Sequence, residues 1–397
     1  MEKKYVMKKK ILLLGYMRRN LGDDLFIAML LNRYKDIEFV VRETSPKYSE
    51  PFKNYKNFSV VKAEGKLVDF DTRDYVACVY IGGSVLAETK NGMTNQKTIN
   101  GFVENCKKNK VPFFYISSNF GPYKTKEFYD ECEKTIKMID GICFRDKYSY
   151  EEFKKYKSVN YATDVVFALD MTRKKIIKNS VGISVIDLSL PSRSEEMQKL
   201  DKVYCEMLKR NIINFIDKGK SVYLFSYCEY EGDLQAIKRV IDLLPDNYKK
   251  KVNIIEYTGK EGNLYDFIKK YSMMEKMVCT RFHSLVLSLL FKQDLIVISY
   301  SKKLEKLLCD IPQKFKYIEM DNKLNKLVID LNWFNRIDED NLNILVDSSY
   351  NQFSQLDKKL KLEVASDKIK VNRLAFKKRV RRKLGVIKRK IKKIIQK

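Results

Sequence analysis

Short apolar runs alternate with longer stretches in which apolar residues recur every three or four positions, and this rhythm holds for most of the chain. ILLLG near the N-terminus, EFVVR at 38–42, 58–61, YVACVYI at 75–81 and VPFFYISS at 111–118 read as strands. Residues 24–34, 98–108 and 126–138 between them read as helices, and 141–145 and 161–164 as two further strands. After a polar, basic break at 172–179 the rhythm restarts. SVGISVI, SVYLFSY, VNIIEY, MVCTR and DLIVISY read as strands, and 194–218, 233–244, 264–274 and 284–291 as helices. Strand–helix alternation at this spacing predicts parallel βαβ units. The expected fold is therefore α/β, with two Rossmann-like doubly wound domains facing a cleft. The expected boundaries are 1–175 for the first domain and 176–310 for the second. A helix at 301–308, a helical region at 311–366 (with 341–362 as a helix) and a basic tail at 367–397 follow.

Composition narrows the class. With 45% hydrophobic residues, 12% aromatics, 15 glycines and 7 prolines in 397 residues, the chain is globular. Its longest apolar runs, such as 284–291, fall far short of the ~20 residues needed to span a bilayer. The basic start MEKKYVMKKK before ILLLG imitates a signal peptide, but Arg18, Arg19 and Asp23 interrupt it and no small-residue cleavage site follows. The eight cysteines form no CxxC pair and most lie in apolar runs, which reads as reduced core thiols in a cytoplasmic protein. One histidine and no clustered thiols leave no protein-held zinc site to expect.

The net charge of +27 is uneven: 368–397 holds fifteen Lys or Arg and no acidic residue, leaving +12 for the rest. In that tail Val380, Leu384, Ile387, Ile391, Ile394 and Ile395 recur at helical spacing among the cations. The pattern suits an anionic membrane surface, with docking on the body or nonspecific nucleic-acid binding as the competing readings. Only Phe376 interleaves with the cations, so no specific nucleic-acid partner is expected.

Five loops at strand ends carry candidate chemistry. NLGDD offers Asn20, Asp23 and Asp24 at a helix start, where a carboxylate could bind sugar hydroxyls or accept a hydroxyl proton. In IGGS, Gly82, Gly83 and Ser84 would let backbone amides approach an anion. SSNFGPY sets Asn119 and Tyr123 above the sheet, and RDKYS places Arg145 at a strand mouth as a carboxylate or phosphate fork. In CTRFHS, Arg281, His283 and Ser284 converge at a strand end before an apolar helix. Each motif alone is also compatible with a capped loop, an internal ion pair or a structural histidine.

In this order the five elements resemble the polysaccharide pyruvyl transferase family. ATDVVFAL with Asp164 and the Tyr300-to-Lys303 spacing extend the resemblance, which spans about residues 9–310. It implies a two-domain arrangement like that of the B-type glycosyltransferases. It also implies transfer of a pyruvyl group from phosphoenolpyruvate to two hydroxyls of one sugar, giving a cyclic ketal and phosphate, with no further cofactor and no metal. His283 is the general acid in that scheme, and Asp23 or Asp24 orients or deprotonates the acceptor hydroxyl. Arg281, Arg145, Gly82, Gly83, Ser84 and Ser284 hold the donor. Asn20, Asn119, Tyr123 and Asp164 face the acceptor, a cell-surface polysaccharide or its lipid-linked precursor. The expected location is the cytoplasmic face of a membrane. A nucleotide-sugar glycosyltransferase of the same fold and a catalytically inactive membrane-associated scaffold are the alternatives.

Overall fold

The computed structural model describes residues 9–43 and 45–361; the basic tail lies outside them. The first half runs β1 (Lys10–Gly15), α1 (Leu21–Arg33), β2 (Glu38–Glu43), β3 (Phe58–Lys62), β4 (Ala77–Ile81), α2 (Gly92–Lys108), β5 (Phe113–Ser118), α3 (Lys126–Met138), β6 (Gly141–Phe144), α4 (Lys147–Phe153) and β7 (Val159–Tyr161). The second half runs β8 (Ile177–Ser184), α5 (Glu195–Asp217), β9 (Ser221–Ser226), α6 (Asp233–Asp242), α7 (Asp246–Lys249), β10 (Val252–Glu256), α8 (Asn263–Ser272), β11 (Met274–Cys279), α9 (Phe282–Leu290), β12 (Asp294–Ser299), α10 (Lys302–Asp310) and β13 (Tyr317–Glu319).

The strands form two parallel sheets, ordered β3-β2-β1-β4-β5-β6-β7 and β10-β9-β8-β11-β12-β13. Each order reverses once, between β1 and β4 in one sheet and between β8 and β11 in the other, and doubly wound sheets bind ligands at such points. Helices cover both faces of a parallel sheet, which explains why its central strands are apolar throughout. Every residue of β5 is buried, and Ile11, Leu12, Val79, Ile183 and Val278 are at most 1% exposed.

Both sheets belong to one unit ending at Gln352; Phe353 onward, with the helix Ser354–Leu360, is a second. Within the first unit a seam of direct bonds joins the halves beside the start of α1. The Leu21 amide donates to the Tyr227 carbonyl (3.0 Å), and Asn20 bridges Cys228. Arg19 pairs with Glu50 on one side and Glu229 on the other, at 2.7 and 2.8 Å. Tyr265 bonds Asn32 and Tyr55.

Four element readings change. The stretch expected as one helix at 341–362 holds two, Glu339–Ser349 and Ser354–Leu360, with a 3₁₀ turn at Tyr350–Phe353 between them in sequence. Helix α2 begins at Gly92, not 98, because its polar first turns carry no apolar stripe. Residues 161–164 are not a strand: β7 ends at Tyr161, and Asp164 caps a short 3₁₀ turn, its Oδ1 accepting from the Val166 amide. The second sheet also extends past 310, since Tyr317–Glu319 pairs with β12 as an edge strand too short to show a period. Seven of the eight cysteines are buried, Cys309 being exposed, and all are free thiols. Among the described residues no helix is long and apolar enough to cross a membrane.

Candidate active site

A cavity of about 640 Å³ lies where the two reversal points face each other. That is the size of an ordinary small-ligand site. Asn20 and Asp23 reach it from the start of α1, Gly83 and Ser84 from the end of β4, and Arg145 from the end of β6. Glu231 before α6, Arg281, Phe282 and His283 at α9, Tyr300 after β12 and Lys303 on α10 come from the other sheet, with Arg193 from the loop before α5.

Local backbone chemistry aims each group. Asn20 caps α1, its Oδ1 accepting from the Gly22 amide at 3.1 Å, which turns Asp23 toward the cavity. Ser184 Oγ accepts from the amides of Thr280 and Arg281 (3.1 and 2.9 Å), fixing the turn between β11 and α9. His283 consequently lies inside the first turn of α9, with Arg281 at its cap. The His283 ring stands edge-on to Phe26 (5.0 Å) and lies against Gly22, where any Cβ would overlap it. A Cβ on Gly83 would likewise overlap the Arg145 guanidinium. The glycines of NLGDD and IGGS therefore leave room for two cleft side chains, a more specific reason than open amides.

The cations are held unequally. Arg145 donates to Asp164 Oδ2 (2.8 Å) and Asn119 Oδ1 (3.0 Å), with its guanidinium 4.0 Å above the Phe282 ring. Arg281 is gripped by two carboxylates, Asp233 and Glu231, and Glu231 also pairs with Arg193 at 2.8 Å. Burial would raise the Glu231 carboxyl, but Arg281 and Arg193 overcome it and hold it at about 2. Among the described residues Lys303 has no carboxylate within salt-bridge range, and it donates to Ser84 Oγ at 2.7 Å. Burial and then the neighbouring Arg145 push its ammonium down to about 8.

Proton carriers are tuned differently. Burial, with Glu231 adding to it, pushes the Asp23 carboxyl up to about 7. Burial lowers the His283 imidazole below its usual 6.5, against the opposing pull of Asp164, so the ring is neutral at pH 7. Its Nε2 stands 3.8 Å from Asp164 Oδ2, too far for a hydrogen bond, and has no hydrogen-bond partner among the described residues. Burial alone would raise Asp164, but His283, Arg145 and the Val166 amide together bring it below its ordinary value.

Six expected site residues stand back from the cavity. Asp24 is fully buried and accepts from the Tyr257 hydroxyl across the seam at 2.6 Å; burial raises its carboxyl well above 3.8, so it holds the two halves together and touches no substrate. Ser284 is buried, its carbonyl and hydroxyl bonded by Tyr271. Asn119 and Asp164 support Arg145 from behind, and Gly82 lies beside Asp23. Tyr123 packs on Phe120 (4.9 Å) and lies outside the cavity. Sequence reasoning passed over Glu231, Arg193, Tyr16 and the face of α2 that lines the cavity, none of which carries a motif signature. Lys303 and Tyr300 were visible only as a spacing. Among the described residues no three His, Cys, Asp or Glu are grouped to hold a metal ion.

The fold is shared with sugar-handling proteins of low sequence similarity. A UDP-GlcNAc 2-epimerase from Methanocaldococcus jannaschii superposes with a TM-score of 0.57 at 11% identity, over 89% of this chain and 100% of that one. The Anabaena protein Alr3699/HepE, solved with UDP and glucose, gives 0.54 at 10% identity over 89% and 99%. S. aureus MnaA, solved with UDP, gives 0.55 at 10% over 90% and 98%. These likenesses establish a two-sheet architecture of the B-type glycosyltransferase kind. No curated protein matches the sequence. The family model for polysaccharide pyruvyl transferase matches residues 20–302, most of the chain and both sheets, and the chain accordingly belongs to the polysaccharide pyruvyl transferase family.

Proposed function

We propose that the protein transfers the pyruvyl group of phosphoenolpyruvate to two hydroxyls of one glycan sugar, forming a cyclic ketal. The observation that carries this reading is the charge layout of the cavity. Four cations (Arg145, Arg193, Arg281, Lys303) face two carboxyls, Asp23 and Glu231, and one of those carboxyls titrates near neutrality. A donor bearing both a carboxylate and a phosphate needs such a surplus of fixed cations. Lys303 and Arg145 are the best placed to bind it, because Arg281 already faces two carboxylates.

Protonated Asp23 gives its proton to C3 of the enol, leaving an oxocarbenium-like C2. A sugar hydroxyl attacks C2, and the ionised Asp23 takes that hydroxyl's proton, returning to its starting state. The phosphate then departs, the second hydroxyl closes the ring, and its proton leaves with the phosphate. Neutral His283 suits a base for this last proton better than a general acid, with Asp164 stabilising the imidazolium formed. Atoms balance: of the two hydroxyl protons, one ends on C3 and the other on phosphate.

The test is incubation with phosphoenolpyruvate and acceptor oligosaccharides, then separately with UDP-sugars. Acceptor-dependent phosphate release, with a glycan mass gain matching a pyruvate ketal, supports the reading; sugar transfer without phosphoenolpyruvate overturns it. The tail's binding to an anionic membrane, and with it a cytoplasmic membrane-face location and a lipid-linked acceptor, belong to the same proposal. Vesicle sedimentation of the full chain tests them.

A further inference from the structure

The cavity is divided by charge. Its charged lining gathers at the reversal points and the second sheet, where Arg145 abuts Gly83 and Lys303 bonds Ser84, whereas the wall around the first turns of α2 carries no acidic or basic side chain. Tyr80, Thr89, Asn95, Gln96, Thr98 and Ile99 line that wall. Neither lysine of this stretch lines the cavity: Lys97 pairs with Glu127 on the outer surface, and Lys90 is exposed. Gln96 is fixed by its bond to Thr135, and Thr98 Oγ donates to the Thr94 carbonyl, which leaves its lone pairs free to accept. Asn95 is exposed. The wall thus offers amides and hydroxyls beside the phenol of Tyr80 and the aliphatic Ile99. Amide and hydroxyl groups match the donors and acceptors of sugar hydroxyls, and apolar side chains match a sugar's C–H face. A three-carbon donor at the cationic end cannot fill the cavity.

We infer that this face of α2 is the acceptor subsite and that it takes a sugar residue bearing no carboxylate, phosphate or sulfate. An acidic sugar placed against the first turns of α2 would lose part of its anion's hydration to side chains that carry no positive charge. The inference rests on the transfer reading for the word acceptor, but its test does not need turnover.

Saturation-transfer NMR of the full chain is run with neutral hexose oligosaccharides and with uronate-containing counterparts, without donor. The same measurement is made on the Asn95→Ala/Thr98→Val double variant, and on Asn95→Lys. The wild type binds the neutral series about tenfold more tightly than the acidic one. The double variant loses about tenfold in neutral-glycan affinity, and Asn95→Lys moves preference toward uronates. In turnover the double variant raises the acceptor KM and leaves the donor KM unchanged. Equal binding of neutral and acidic glycans, or neutral binding indifferent to both variants in folded protein (checked by thermal midpoint), overturns the subsite. Asn95-dependent glycan binding alongside no phosphate release from phosphoenolpyruvate would keep the subsite and reject the donor assignment.

Discussion

The two sheets meet at one cavity but furnish it in opposite ways. The second sheet supplies charges that are largely compensated before any ligand arrives: Arg281 sits between Asp233 and Glu231, and Glu231 also holds Arg193. The first sheet supplies few charges but leaves its chief one unsatisfied. Among the described residues Asp23 has no cation within salt-bridge range; it titrates near 7, while the glycines beside it give up their volume to His283 and Arg145. One side is an electrostatic frame built for rigidity; the other holds a proton at neutral pH at some cost in stability.

Replacing Asp23 by Asn is the hardest test of that division. Turnover should fall by about 10²–10⁴-fold with the donor still bound. In the wild type kcat/KM should decline above a pH of about 7, as the acid is lost, and Asp23→Asn should lack that limb. Arg281→Ala should act first on folding: it leaves the buried Asp233 without a cation and Glu231 with Arg193 alone, a loss of about 3–5 kcal/mol readable by denaturant titration. If stability barely moves, the compensated frame is not what holds this end together. Gly22→Ala should preserve the fold and displace the His283 ring, costing about 10²-fold in kcat/KM. Lys303→Met should leave the thermal midpoint nearly unchanged and raise the donor KM roughly tenfold, the weight of one charge-assisted bond.

The smallest effect is the most diagnostic of the two regions. The folded pKa of Asp23 is raised from 3.8 to about 7, so the unfolded chain ionises first as pH rises and stability drains away between those values. Asp23→Asn removes that drain. Its thermal midpoint should exceed the wild type's at pH 8, with the gain vanishing as the pH falls toward 3.8.

Much of this was legible in the chain. Strands buried on both faces are written as unbroken apolar runs, so eleven of the thirteen strands among the described residues could be read; residues 161–164 met β7 only at Tyr161, and the short edge strand β13 escaped altogether. Asp23, Gly83, Arg145, Arg281 and His283 could be found because they close strands at motif positions. What escaped was set by long-range pairing. Asp23 and Asp24 are adjacent and chemically identical, yet only Tyr257, 233 positions away, decides which is sequestered. Glu231 gains its role from Arg193 and Arg281, which no local pattern announces. The first turns of α2 were invisible for the opposite reason: a face that lines a cavity has no apolar stripe.

The overlap of any Cβ at Gly22 with the imidazole of His283 also speaks the language of heredity. A position that admits a single residue cannot drift, whatever happens to the chain around it. In a library of this protein selected for ketal formation, position 22 should stay glycine while its neighbour in the cap, position 20, tolerates Asp or Ser. A second-site change at 283 should be the one background in which a side chain at 22 becomes neutral.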